Sequence, residues 1–140
     1  KKLGYSSHVI FNLNSNVKVE ARKIAKKLKN SRKSCIIFGG EPTVNVLGSG
    51  NGGRNQELVL QLCKELRNFP CIISSIGTDG IDGNTKFAGA IVSTINLSSF
   101  EDFLKNNDSF NFFKKFGGLI HTGPTHTNVN DIGIIIRQNL

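Results

Sequence analysis

Val17, Ala21, Ile24, Ala25 and Leu28 recur at intervals of three and four residues, with Lys and Arg filling the positions between them. That is the period of a helix with one apolar face. Ser15 or Asn16 can cap it, which predicts a helix over Val17–Lys29. Leu58, Val59, Leu62, Cys63 and Leu66 repeat the pattern and predict a second helix over Asn55–Leu66. Cys35–Phe38 and Cys71–Ile76 begin or run as apolar stretches too short for helices, and so read as buried strands. His8–Leu13, Ala88–Thr94 and Ile132–Arg137 are further strand candidates. Thr43–Leu47 alternates through Val44 and Val46 and predicts another. Phe100–Leu104 and Phe110–Phe116 read as short helices joined by Asn106-Asn107-Asp108. Strands and helices interleave, so the fold class is α/β. Because some strands are unbroken apolar runs and others alternate, a mixed sheet flanked by helices fits better than an all-parallel one.

The 140 residues suit one domain spanning 1–140, and a hydrophobic content of 38% can build a core. No apolar run is long enough to span a membrane, and Lys1–Leu13 lacks a signal peptide's apolar stretch. The sequence contains no Met, which suggests a natural start further upstream, with Lys1–Tyr5 as the tail of an earlier element.

A net charge of +8 raises the question of nucleic acid. Residues 1–33 hold ten Lys/Arg and one acid, whereas residues 34–140 hold eight Lys/Arg and nine acids. The basicity is therefore the solvated face of the first helix, with no base-reading side chains interleaved, and the expectation is no nucleic acid and no membrane partner. Cys35, Cys63 and Cys71 are odd in number and lie among apolar residues, which points to buried thiols in a reducing, cytoplasmic setting.

The richest stretch chemically is Gly48-Ser49-Gly50-Asn51-Gly52-Gly53-Arg54-Asn55, between a predicted strand and a predicted helix. Glycines allow an anion close to backbone amides, the helix start adds partial positive charge, and Arg54 adds a planar fork of donors. The expectation is an anion site at Gly50, Gly52, Gly53 and Arg54. Gly48, Gly50 and Gly53 also spell GxGxxG, but no acid stands where a dinucleotide's ribose would need one. Gly48 and Gly53 spell GxxxxG, but Arg54 and Asn55 replace the Lys and Ser/Thr of a P-loop.

Gly77-Thr78-Asp79-Gly80-Ile81-Asp82-Gly83 follows a buried strand, and Asp79 and Asp82 there could hold Mg²⁺ or orient a hydroxyl. Gly123 to Asp131 is a loop of short polar donors, and Glu41 follows Gly39-Gly40 at a strand end. His8, His121 and His126 have no metal-ligand spacing.

Four motifs then coincide in order: Gly39-Gly40-Glu41-Pro42-Thr43-Val44, Gly52-Gly53-Arg54-Asn55-Gln56-Glu57, Gly77 to Gly83, and Thr122-Gly123-Pro124-Thr125 through Thr127 to Asp131. Together they closely resemble the C-terminal MOFRL domain of class II glycerate 2-kinases, some of which carry an older label of hydroxypyruvate reductase. The resemblance implies the C-terminal domain of a two-domain enzyme whose active site lies between this domain and an N-terminal α/β domain absent from the chain. It implies ATP-dependent phosphorylation of D-glycerate at the 2-hydroxyl, giving 2-phosphoglycerate, with ATP and Mg²⁺ as cofactors and a homodimer as a candidate assembly. Arg54 would clamp phosphate or the glycerate carboxylate, and Asp79 would contact metal or the substrate hydroxyl. Asn55, Glu57, Asn128 and Asp131 match positions that support or touch ligand. Departures are Pro42 for Thr, Asn84, Lys86 and Phe87 for Pro, Asp and Ala, and His126 for Gly. Lys86 weakens the case for a metal at the acidic loop. The alternatives are an NAD(P)-dependent hydroxypyruvate reductase and a stand-alone anion-binding module.

Overall fold

The computed structural model describes residues 4–30, 35–95, 97 and 99–137. The expectation for Lys1–Tyr5 falls partly outside these residues. The chain order is β1 (Ser7–Leu13), α1 (Val17–Lys29), β2 (Cys35–Gly40), α2 (Arg54–Glu65), β3 (Cys71–Gly77), β4 (Gly89–Ser93), α3 (Glu101–Lys105), α4 (Ser109–Phe116), β5 (Leu119–Ile120) and β6 (Asp131–Arg137). One six-stranded sheet takes the order β1-β2-β6-β3-β4-β5. β1 and β2 run parallel, and every other neighbouring pair is antiparallel. The sheet is therefore mixed, as the strand patterns predict. The carboxyl ends of β2 and β3 and the amino end of β6 meet at one edge, where Asp131 lies opposite both Gly40 and Gly77.

α1 forms over the predicted residues, with the Asn16 side chain accepting from the Lys18 amide as its cap. Its apolar stripe is buried against α2. α2 is buried on almost every side from Asn55 to Cys63 because it contacts α1, α3, α4, β3 and β4 together. Ile36, Phe38, Ile73, Ala90 and Ile135 point from the sheet into the same core. Val9, Ile37, Ile91, Ile132 and Ile134 point from the opposite face and are exposed, so the helices of the described residues lie on one side of the sheet.

One expectation needs correction. Thr43–Leu47 is not a strand. Thr43 makes only a short bridge, its carbonyl accepting from the Val17 amide and its amide donating to the Ser15 carbonyl. The backbone beyond is held by a side chain instead, as described below, and Val46 is 69% and Leu47 84% exposed. The sixth strand is β5, only two residues long, paired with Gly89 and Ala90. Cys35, Cys63 and Cys71 are free, buried thiols, and burial raises the pKa of each.

Candidate active site

Arg54 is the first residue of α2, which places its side chain at the sheet edge beside Asp131. Its Nε donates to Asp131 Oδ2 at 2.6 Å and its Nη2 to Oδ1 at 3.0 Å. This two-point fork fixes the plane of the guanidinium. The remaining terminal nitrogen, Nη1, lies 3.1 Å from Glu41, whose side chain is well exposed. Arg54 is therefore held on its inner side by a buried carboxylate and reaches solvent through an exposed one.

Asp82 is buried, and its carboxylate covers the start of α2. Oδ1 accepts from the Asn55 amide at 2.9 Å and from Asn55 Nδ2 at 3.3 Å, and Oδ2 accepts from the Gln56 amide at 2.9 Å. The N-cap residue, Gly53, has no side chain to serve this role. A Cβ on Gly53 would stand 2.3 Å from the Asp82 carboxyl carbon, so glycine there is the condition for a cap supplied from another loop. Burial raises the Asp82 pKa from 3.8 to about 6, against three donors that lower it and with the nearby Asp131 charge adding to the rise. The same Asn55 accepts from the Ser75 hydroxyl at 2.6 Å, tying α2 to β3.

Five amides of the glycine loop, from Gly48 to Gly52, have partners within the chain. The amides of Gly48, Ser49, Asn51 and Gly52 donate to side-chain oxygens of Asn107, Asn106, Asp108 and Asn84, and the Gly50 amide donates to the Asn106 carbonyl. The glycines are explained by close approach. A Cβ on Gly48 would lie 2.3 Å from the Asn106 backbone, and one on Gly50 would lie 2.3 Å from Asp108 Cβ. The loop packs against the α3–α4 turn and spends the amides of Gly48 to Asn51 there, while that of Gly52 is held by Asn84.

Asn107 organises that contact. Its Oδ1 accepts from the Leu47 and Gly48 amides, while its Nδ2 donates to the Asn45 carbonyl and to Glu57 Oε2 at 2.9 Å. Glu57 is buried; burial raises its pKa, and the Asn107 bond opposes that rise. Nothing in the sequence marked Asn107 beyond its place in a polar turn. The signal available was the Asn-Asn-Asp run itself, a concentration of capping side chains after a very short helix.

The two polar loops close over the same edge. Thr125 donates through its hydroxyl to the Thr78 carbonyl and through its amide to the Asp79 carbonyl. The Thr78 hydroxyl donates to the Asn130 carbonyl and accepts from the Val129 amide. Asp79 Oδ1 accepts from the Ile81 amide at 3.0 Å, and Asn128 accepts from the Asn130 amide in its own turn. His126 sits at φ 57°, a backbone conformation that favours glycine.

A cavity of about 390 Å³ opens between these parts, lined among others by Val44, Gly50, Gly52, Arg54, Glu57 and Asn107. The structure thus gathers Gly50, Gly52, Gly53, Arg54 and Glu57 around one space. Asp131 stands behind Arg54, while Asn55 and Asp82 serve as internal ties. Asp79 lies by the sheet edge and Asn128 on the exposed loop. Among the described residues, no group of three or more His, Cys, Asp or Glu side chains is placed to hold a metal ion.

A mixed α/β sheet with an arginine–carboxylate site at its strand ends is the class of domain these features define. Residues 34–131 match the MOFRL family, and the chain belongs to that family. It is 40% identical, over a 155-residue alignment, to a D-glycerate 2-kinase of Thermotoga maritima, covering 97% of this chain and 37% of that protein. It is 45% identical over 120 residues to a glycerate 2-kinase of Picrophilus torridus, covering 83% of this chain and 29% of that one. The crystal structure of glycerate kinase from Thermotoga maritima superimposes with a TM-score of 0.89 at 38% identity, over 98% of this chain and 37% of that chain. The chain thus spans little more than a third, or less, of the length of these relatives.

Proposed function

We propose that this chain is the C-terminal domain of a kinase that uses ATP and Mg²⁺ to phosphorylate D-glycerate at its 2-hydroxyl, completed by an N-terminal α/β domain outside these residues. The observation that carries the reading is Arg54, held by Asp131 and opening on a cavity of about 390 Å³, in a chain 40% identical to a D-glycerate 2-kinase. Asp131 keeps two guanidinium donors in place. A carboxylate or phosphoryl group that displaces the exposed Glu41 meets Nη1 of an arginine already oriented, which suits a reaction dominated by positioning and charge.

Magnesium and the nucleotide phosphates do not find a complete donor set among the described residues of this chain. The loop amides are spent on side chains, both Asp82 oxygens face helix amides, and the described carboxylates do not cluster. What this domain brings to the reacting groups is the anion contact at Arg54 and, at the sheet edge, the open Asp79 oxygen for the substrate hydroxyl or a metal held mainly elsewhere. The engaged amides of Gly48 to Gly52 also count against a nicotinamide cofactor's pyrophosphate in this loop.

The test is a coupled assay of ADP formation with ATP, Mg²⁺ and D-glycerate on the longer polypeptide that contains this chain. Glycerate-dependent ADP release that falls more than about tenfold in kcat/KM on Arg54→Ala is the expected result. No glycerate-dependent release from the unaltered enzyme overturns the reading.

A further inference from the structure

A second cleft, about 350 Å³, is lined by Asn51, Asn84, Thr85, Lys86, Phe87 and Phe110. Asn84 lines both spaces. The wall of the cleft is aromatic: the Phe87 ring lies 5.7 Å from Phe110 and 5.5 Å, edge-on, from His121. Both phenylalanines are only partly buried, unlike Phe100, Phe112 and Phe113 in the core. Positive charge flanks the rings, with Lys86 in the lining and Lys114 Nζ 5.8 Å from the Phe110 centroid.

The floor carries hydrogen-bond donors. Asn84 Nδ2 donates to Asn51 Oδ1 at 2.9 Å, and Asn84 Oδ1 accepts from the Gly52 amide. Asn51 has its oxygen engaged, and its Nδ2 has no hydrogen-bond partner among the described residues. A planar face, an unspent amide donor beside it and flanking cations are the features that receive a base: the ring stacks, the edge accepts from the amide, and the charge favours an attached phosphate.

We propose that the Phe87–Phe110 cleft holds the purine ring of a nucleotide whose phosphates run past Asn84 toward the Arg54 cavity. This rests on the kinase reading for the identity of the nucleotide, and it assigns the base to this domain.

The experiment measures equilibrium binding of ATP and of adenosine to the full-length protein, without glycerate, for the unaltered chain and for Phe87→Leu, Phe87→Tyr and Phe110→Leu. Leucine keeps apolar bulk, so folding is preserved while stacking is lost; tyrosine keeps the ring. Stacking supports a loss of about tenfold in affinity for both ligands in each leucine variant, with affinity kept in Phe87→Tyr. In the assay, KM for ATP rises by a similar factor while KM for glycerate stays within about twofold. Unchanged affinity for both ligands in both leucine variants overturns the cleft and leaves the kinase reading standing. Adenosine binding that depends on Phe87, in a protein that does not phosphorylate glycerate, overturns the kinase reading and leaves the cleft.

Discussion

Arg54 and Asp131 stand 77 positions apart in the chain and meet through two parallel hydrogen bonds, 2.6 and 3.0 Å long, at the edge of the sheet. Asp131 is buried at the first position of β6, so the guanidinium is aimed by the sheet itself.

Under the proposed kinase reading, the coupling between the two is measurable in the steady-state kinetics of the polypeptide that carries this chain. Arg54→Ala lowers kcat/KM for glycerate by more than about tenfold, or 1.4 kcal/mol. Asp131→Asn removes the charge that orients the fork and lowers kcat/KM in the same direction by less. If Asp131 acts through Arg54, the double variant is no worse than Arg54→Ala alone. Additive losses would show that Asp131 has a separate role.

Asp82 gives stability a specific pH dependence. Its folded pKa, about 6, lies above the ordinary 3.8, because burial outweighs the helix donors. Below about pH 4 the group is protonated in both states, and its contribution to stability is fully present. Between these values the unfolded chain ionises first, and stability is lost as pH rises through about 6, by on the order of 3 kcal/mol. Asp82→Asn, which cannot ionise, removes this component of the slope. Denaturant midpoints of both proteins across pH 4–7 check it, and parallel curves would assign the slope to other groups.

The Asn107 side chain joins the loop at Asn45–Gly48 to Glu57 on α2 through all of its donor and acceptor capacity. Asn107→Ala leaves the Glu57 carboxylate buried without this donor and frees the loop that walls the Arg54 cavity. The expected loss is about 1–3 kcal/mol of stability. Because Asn107 sits at φ 51°, Asn107→Gly relieves backbone cost and falls between the two in thermal melts, without restoring the loop.

The sequence made the helices and buried strands legible because their signals are local. The stripe Val17–Leu28 and the runs Cys35–Phe38 and Cys71–Ile76 carry their own period. Thr43–Leu47 alternates like a strand, yet its amides at Leu47 and Gly48 are claimed by Asn107, about sixty residues away, and no spacing rule shows that. β5 is too short to have a period. At the site, Arg54 was legible from its place at a helix start, and Asp131 from its motif. Their pairing was not, because it depends on β6 inserting between β2 and β3. The packing role of the glycine cluster is hidden for the same reason. Its residues are small to admit the α3–α4 turn and Asp82, partners that lie 26 or more positions further along the chain.

Two glycines separate the effect of that close approach from backbone strain. Gly48 would place a Cβ 2.3 Å from the backbone carbon and oxygen of Asn106, which cannot retreat as a side-chain tip could. Gly117 closes α4 at φ +86°, and a Cβ there meets nothing within 4 Å. Gly117→Ala therefore costs about 1–3 kcal/mol, the penalty for a positive-φ, extended backbone that essentially only glycine adopts, and leaves kcat/KM of the proposed kinase unchanged. Gly48→Ala costs about 1–3 kcal/mol or more, since the loop must shift away from the α3–α4 turn. That shift breaks the Gly48–Asn107 bond and displaces the wall of the cavity facing Arg54, so kcat/KM falls together with stability. Thermal melts and steady-state kinetics on the two variants decide the matter. Equal kinetic loss in both would mean that the loop's position does not govern the site.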